Sequence, residues 1–427
     1  MRLLSNSQVG GTLLEYGSRV RAFRPNARLY LFNVIIAGAA MGVFRLLFNF
    51  YVLSLGFNEA LLGQLVTTNN LTSLIVALPA GYLADQLGRK ISLLIAGLLT
   101  SLAIAGMVLW PNISVFYATN VLFGLAQSLA AVTMAPFLME NSGEKERTYL
   151  FSFSLGLQMA SGSLGNWIGG YLPTWIGGWL SVAATNSAAY AGAMLVVSGL
   201  YAVSLMPLLF LKMHQGDHSE RSLFTPLSYA SKHPAMLTKL ILPMLITSIG
   251  AGLIMPFMNV FFRQNYGQPD PVIGALFAWG SLAMGLGLLV APPLAERLGK
   301  IQFVVISQGM SIPFLVMLGF APWFWLSAAA YYVRVALMNM SGPIYETFVM
   351  EKVDASARAT VASLVSMSWS FGWAFSPTVS GWLQVRYGFG PSFLGTILLY
   401  SVSVVLYWAF FWRTKAQPAK PIPIPGD

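Results

Sequence analysis

The decapeptide Gly81-Tyr82-Leu83-Ala84-Asp85-Gln86-Leu87-Gly88-Arg89-Lys90 decides the fold. It joins two long apolar runs and packs an acid and two bases into a turn too short to hold anything else. A weaker copy, Pro292-Pro293-Leu294-Ala295-Glu296-Arg297-Leu298-Gly299-Lys300, follows later. Leu83 answers Leu294, Ala84 answers Ala295 and Asp85 answers Glu296. Leu87 answers Leu298, Gly88 answers Gly299 and Arg89 answers Lys300, every pair 211 residues apart. A constant offset over six positions marks a duplicated chain.

The composition around this turn is that of a membrane protein. Of 427 residues, 56% are hydrophobic and only 9% charged, against about 25% charged in soluble proteins. So few charges cannot cover the surface of a soluble globule of this size. The 40 glycines suit helices that pack closely in lipid. The lack of cysteine excludes disulfides and thiolate metal sites. The first 28 residues hold five arginines and no apolar core long enough for a cleavable signal.

Twelve apolar runs are long enough to span a bilayer as helices, which takes about 20 residues each. They cover 28–55, 59–86, 90–110, 112–140, 147–172 and 187–211, then 236–265, 272–294, 301–320, 323–350, 359–386 and 393–412. Barrel strands would be shorter and would alternate in polarity. With the N-terminus in the cytoplasm, twenty Lys and Arg fall on the cytoplasmic side, against Arg263 and Arg386 on the other. Arg45 and Arg334 fall inside helices. Basic residues gather on the cytoplasmic side, so both termini are expected there. The same distribution explains the net charge of +10 without nucleic acid.

The expected architecture is an all-α polytopic membrane protein, with two six-helix bundles related by a parallel repeat. Its parts are an N-terminal tail (1–27), a first bundle (28–213), a polar linker (214–234), a second bundle (235–413) and a C-terminal tail (414–427). His214, His218 and His233 in the linker match no metal-site spacing. Further repeat mates support the duplication: Glu140 and Arg147 answer Glu351 and Arg358, and Gly56 and Gly63 answer Gly267 and Gly274. Gly170 answers Gly381, and Asn49 answers Asn259 at an offset of 210.

The chain resembles the major facilitator superfamily of transporters. Gly81, Leu83, Ala84, Asp85, Gly88, Arg89 and Lys90 fit its signature between helices 2 and 3, G-x-L-[AS]-D-x-x-G-R-[KR]. The resemblance implies a cytoplasmic gate at Asp85 and Arg89, and by the repeat at Glu296 and Lys300. The pairs Glu140/Arg147 and Glu351/Arg358 are expected to help close it; the alternative is that these residues only fix topology. Two other family motifs are altered. Asn120 stands four residues before Gly124, where proton-coupled members carry arginine. The run Gly165-Asn166-Trp167-Ile168-Gly169-Gly170 lacks the proline of the drug antiporters.

Ionisable residues at mid-membrane are costly, which makes them functional candidates. Arg45 and Arg334 fall at nearly one depth in helices 1 and 10, which line the central cavity in the resembled fold. They are expected to clamp an anionic group, or else to bond carbonyls and asparagines for structure. Asn49, Asn259, Tyr331, Met338, Trp369 and Trp373 are further substrate-contact candidates, with interhelical packing as the alternative. Asn69, Asn70, Met255 and Met258 are also possible wall residues. Pro256, Pro343 and Pro377 are expected bending points. Glu346 is read as joining the cytoplasmic charge cluster.

The function expected is alternating-access transport of a small organic solute, anionic or amphipathic, with efflux favoured over uptake. A flippase for a lipid-like molecule is the alternative, and a non-transporting sensor ranks last. No enzymatic constellation and no cofactor or metal site is read. The expected partners are the lipid bilayer, a small-molecule substrate and, left open, a coupling ion. The expected state is a monomer in the cytoplasmic (inner) membrane.

Overall fold

Helix ends follow the short polar breaks between the apolar runs. The computed structural model describes residues 23–212, 234–353 and 358–412. The first half comprises α1 (Pro25–Ser54), α2 (Glu59–Leu87), α3 (Arg89–Leu109), α4 (Ile113–Glu140), α5 (Glu144–Leu180) and α6 (Ser187–Leu209). The second comprises α7 (Pro234–Tyr266), α8 (Asp270–Leu298), α9 (Lys300–Phe320), α10 in two pieces (Phe324–Asn339 and Ser341–Lys352), α11 (Arg358–Tyr387) and α12 (Gly390–Phe411). The expected tails lie almost wholly outside the described residues, as does the linker up to Pro234, which opens α7. Among the described residues, nine helices are long and apolar enough to cross a membrane; α5, α10 and α11 are the exceptions. Helix α10 is broken, whereas α5 and α11 are rich in Gly and Ser and make the contact between halves.

Local chemistry sets the boundaries. Asn58 and Asn112 open α2 and α4 by accepting from the backbone N–H of Leu61 (3.1 Å) and Val115 (3.0 Å). Gly88 and Gly299 separate α2 from α3 and α8 from α9 at φ 79° and 92°. Only glycine enters that region freely, so one helix stops and the next starts a single residue later. Helix α5 overruns its expected end at Leu172 and continues through Pro173 to Leu180. An internal proline removes one backbone bond without ending an otherwise apolar helix. Helix α7 passes through a 3-10 turn at Met255–Phe257, around Pro256. Helix α10 breaks at Met340, where the Pro343 ring crowds the carbonyl four residues before it. Pro377 lies in unbroken α11.

Packing repeats between halves. Helix α1 packs on α5 and α6, and α3 on α4 and α6; correspondingly α7 packs on α11 and α12, and α9 on α10 and α12. The halves meet along two seams, α2 with α11 and α5 with α8. At each seam the repeat-mated glycines let backbones touch. A Cβ on Gly63 would overlap the Pro377 carbonyl, and one on Gly381 the Glu59 carbonyl. In the other seam, Gly170 abuts the Asp270 backbone and Gly274 the Asn166 carbonyl.

The core is divided along the membrane normal. At the end away from Gly88 and Gly299, one buried cluster spans both halves and includes Leu47, Phe50, Phe116, Phe257, Phe261 and Phe393. At the end carrying those glycines, each half keeps its own cluster. One is built on Tyr30, Phe137 and Leu208 and the other on Leu240, Tyr345 and Tyr407. The bundle is therefore sealed at one end, and its halves part at the other, the turn end.

Candidate functional site

Charges at the turn end sort by half. Arg89 donates to Asp85 (2.6 Å) and to Glu140 (3.0 Å), all in the first half. Lys300 pairs with Glu351 in the second. The expected pairings of Glu140 with Arg147 and Glu351 with Arg358 are corrected. The ends of α4 and α10 lie beside the starts of α3 and α9, so Arg89 and Lys300 reach the carboxylates first. Arg147 leaves its Nε without a partner, and Arg358 donates instead to the Met350 carbonyl (3.0 Å). Lys90 caps α6 by donating to the carbonyls of Leu209 and Leu211, both at 2.7 Å. Glu296 is exposed and joins none of the ion pairs among the described residues, and Gly81 faces open space.

A cavity of about 530 Å³ lies between the halves, against the sealed end. Among the described residues, Arg45 is the one charged side chain in its wall, beside Phe44, Phe48, Asn120, Phe277, Tyr331 and Trp373. Asn69, Asn70, Met255 and Met258 also line it, as read from sequence. Asn49 and Asn259 reach it, but their amides are engaged across the halves. Asn49 donates to the Asn259 side-chain oxygen (2.8 Å) and the Pro256 carbonyl (2.6 Å). Asn259 donates back to the Leu46 carbonyl (2.7 Å). They therefore form part of the seal, holding the carbonyl at the α7 break.

The expected two-arginine clamp is not formed. Arg334 is 2% exposed and lines a second chamber of about 590 Å³ inside the second half. Met338, Trp369 and Glu346 line that chamber too, and the ion pairs among the described residues leave Glu346 out. Met255 and Trp373 line both spaces. Helix α10 turns Tyr331 toward the central cavity and Arg334 into its own half.

Two grooves lead sideways from the centre. One, of about 710 Å³, runs between α5 and α8, is walled by Met159, Trp279, Leu282, Leu286 and Leu289, and shares Ser281 with the central cavity. Another, of about 410 Å³, lies between α2, α4 and α11 and shares Asn70 and Trp373 with it.

The sealed end contains a charged cluster that the sequence reading missed. Arg263 in α7 pairs with Asp270 at the start of α8 and stacks over the Phe50 ring, 3.3 Å from its centroid. Tyr190 of the first half donates to Asp270 (2.7 Å) and accepts from Arg263 (2.8 Å). Glu59, the repeat mate of Asp270, accepts from Gln264 of the opposite half (2.5 Å). The available signal was an acid at the first position of both α2 and α8, 211 residues apart.

Comparison with known proteins places this arrangement. The family model described as Major Facilitator Superfamily matches residues 30–250 and again 240–426. The Quinolone resistance protein NorA of Staphylococcus aureus is 21% identical over 359 residues, covering 82% of this chain and 87% of that protein. The Multidrug resistance protein MdtG of Enterobacter lignolyticus is 24% identical over 407 residues, covering 92% and 94%. Among solved structures, the nucleoside transporter NupG superposes with a TM-score of 0.72 at 14% identity, covering 91% of this chain and all of that one. A bacterial homolog of the human lysosomal transporter Spinster gives 0.74 at 13%, covering 92% and 96%.

Proposed function

The chain belongs to the Major Facilitator Superfamily and is an integral membrane transporter, and from that premise we propose that it exports small amphipathic organic solutes across the cytoplasmic membrane by alternating access. The observation that carries this reading is the central cavity, sealed by a core common to both halves and flanked at the turn end by two separate cores. The basic turn end faces the cytoplasm in this reading, as do both termini, so the described state receives solute from inside. Aromatic and methionine walls adapt to varied solutes, and a single arginine at Arg45 favours anionic over cationic ones. The names of NorA and MdtG, which refer to quinolone and multidrug resistance, support export.

The apolar groove between α5 and α8 favours a second reading on its own account. It offers a lipid-like molecule a path from the bilayer to the cavity, and the protein would then work as a flippase.

Proteoliposomes test both readings. The wild type should move amphipathic fluorescent anions faster than matched cations, and Arg45→Ala should erase that preference. Flux equal to that of protein-free vesicles would overturn the solute reading, and inward transfer of a head-labelled lipid would establish the alternative. Asp85→Asn should slow transport at least about fivefold, as expected for weakened coupling between gate and cavity. Its thermal stability should change by less than about 1 kcal/mol, because Asp85 is half exposed and such pairs add little. Wild-type flux in that variant would remove the gate role.

A further inference from the structure

Arg334 has more donors than its surroundings can accept. Arginine carries five N–H groups and keeps its charge at any physiological pH. Here Nη2 donates to the Tyr400 hydroxyl (3.2 Å) and Nη1 to the Met255 thioether (3.3 Å), a weak acceptor. Nε has no partner. The ion pairs of the described residues leave Arg334 out. Glu346 shares its chamber but sits twelve residues along α10, roughly 18 Å at helical rise.

A second unsatisfied donor belongs to a residue that lines the same chamber. The Trp373 indole N–H is buried without a partner and lines the chamber with Arg334. Indole, like guanidinium, only donates. Gln308 and Asn339 also line the chamber and donate to Ser341 (3.0 Å) and the Val335 carbonyl (2.8 Å), but neither amide oxygen bonds Arg334 Nε or the Trp373 N–H. A buried cation and a buried N–H, both short of acceptors, make a site for an acceptor with negative charge.

We propose that the chamber between α7, α10, α11 and α12 is an anion-binding site, in which Arg334 and the Trp373 indole hold a compact anionic group. The group is either a free inorganic anion or the carboxylate of a transported solute. Assigning it to a solute rests on the transport reading above; the existence of the site does not. Met255 and Trp373 also wall the central cavity, so an anion here bears on the same side chains that face the solute at the centre.

The test is thermal unfolding of the full chain in nanodiscs, titrated separately with chloride, nitrate and benzoate, with neutral benzamide as a size match. At least one anion should raise the wild-type midpoint saturably, by about 3 °C or more, while benzamide does not. R334Q should lose the response, and R386Q, altered at an exposed arginine stacked on Trp382, should keep it. W373F should need several-fold more anion; if R334Q does not fold, W373F and R334K carry the comparison. Saturation by chloride or nitrate alone assigns an inorganic anion, and by benzoate alone the solute's own group. The site is overturned if no anion shifts the wild type, or if the Arg334 and Trp373 variants respond as the wild type does. Counterflow in vesicles separates the two readings: binding without transport sinks the solute assignment and leaves the site, and transport without binding overturns the site and leaves the transport reading standing.

Discussion

Replacing Gly63 by valine is expected to leave two folded halves that no longer seal. The new side chain meets the Pro377 backbone carbonyl rather than a movable side chain, so no rotamer change relieves it. Overpacking of this kind costs about 1–3 kcal/mol, occasionally more. At the upper figure the sealed state loses roughly 150-fold in population relative to the unsealed one. Gly274→Val should do the same at the other seam, where the Asn166 carbonyl takes the place of Pro377. Gly199→Val, which meets open space on α6, is the control. The chain has no native cysteine, so spin labels can be placed at Thr185 and Trp323, in loops of opposite halves at the sealed end. Their distance distribution should lengthen in both seam variants and stay unchanged in the control, with transport falling in parallel. An unchanged distribution in Gly63→Val would mean that the seam is not what holds that end shut.

The second large effect is expected at Asp270. Asp270→Leu removes the carboxylate from between Arg263 and Tyr190 and leaves the cation over Phe50 without its anion. Breaking a buried pair from one side costs about 3–5 kcal/mol, and the lower figure applies because Arg263 keeps 25% of its side chain exposed. Replacing both partners with apolar residues is often close to neutral. The double variant Arg263→Leu with Asp270→Leu should therefore recover most of the lost thermal stability. Equal losses in the single and double variants would show that the packing of α7 on α8, and not the charge balance, is what the substitution disturbs.

Much of this was legible in the sequence, because a duplication states the same thing twice. The Gly81–Lys90 turn and its copy placed the tight breaks at Gly88 and Gly299. The offset of 211 paired Gly63 with Gly274 and Gly170 with Gly381, which are the points where the halves touch. Pro256 and Pro343 announced the breaks in α7 and α10. What failed was partner choice. The repeated spacing of Glu140/Arg147 and Glu351/Arg358 suggests those pairs, yet Arg89 and Glu140 are 51 residues apart, as are Lys300 and Glu351. That shared spacing is equally present in the sequence, and the fold uses it because the ends of α4 and α10 lie beside the starts of α3 and α9. Arg45 and Arg334 share a depth and lie on helices that line the cavity in the resembled fold. Depth fixes height in the membrane but not the direction in which a helix points its side chain. The Arg263 cluster escaped because a lone pair of charges near a loop resembles an ordinary solvated end.

Among the described residues, each of the four ion pairs lies within one half. Arg89 with Asp85 and with Glu140 belong to the first half, and Arg263 with Asp270 and Lys300 with Glu351 to the second. Among the described residues, the polar contacts that bridge the halves at the sealed end join a charge to a neutral group or ring, or one neutral group to another. Among the described residues, therefore, no ion pair has to be pulled apart across the seam. The work of separation is spent on short-range contact rather than on Coulomb attraction, which would reach about 8–10 Å through physiological salt. Opening that end should proceed at nearly the same rate in dilute and concentrated salt.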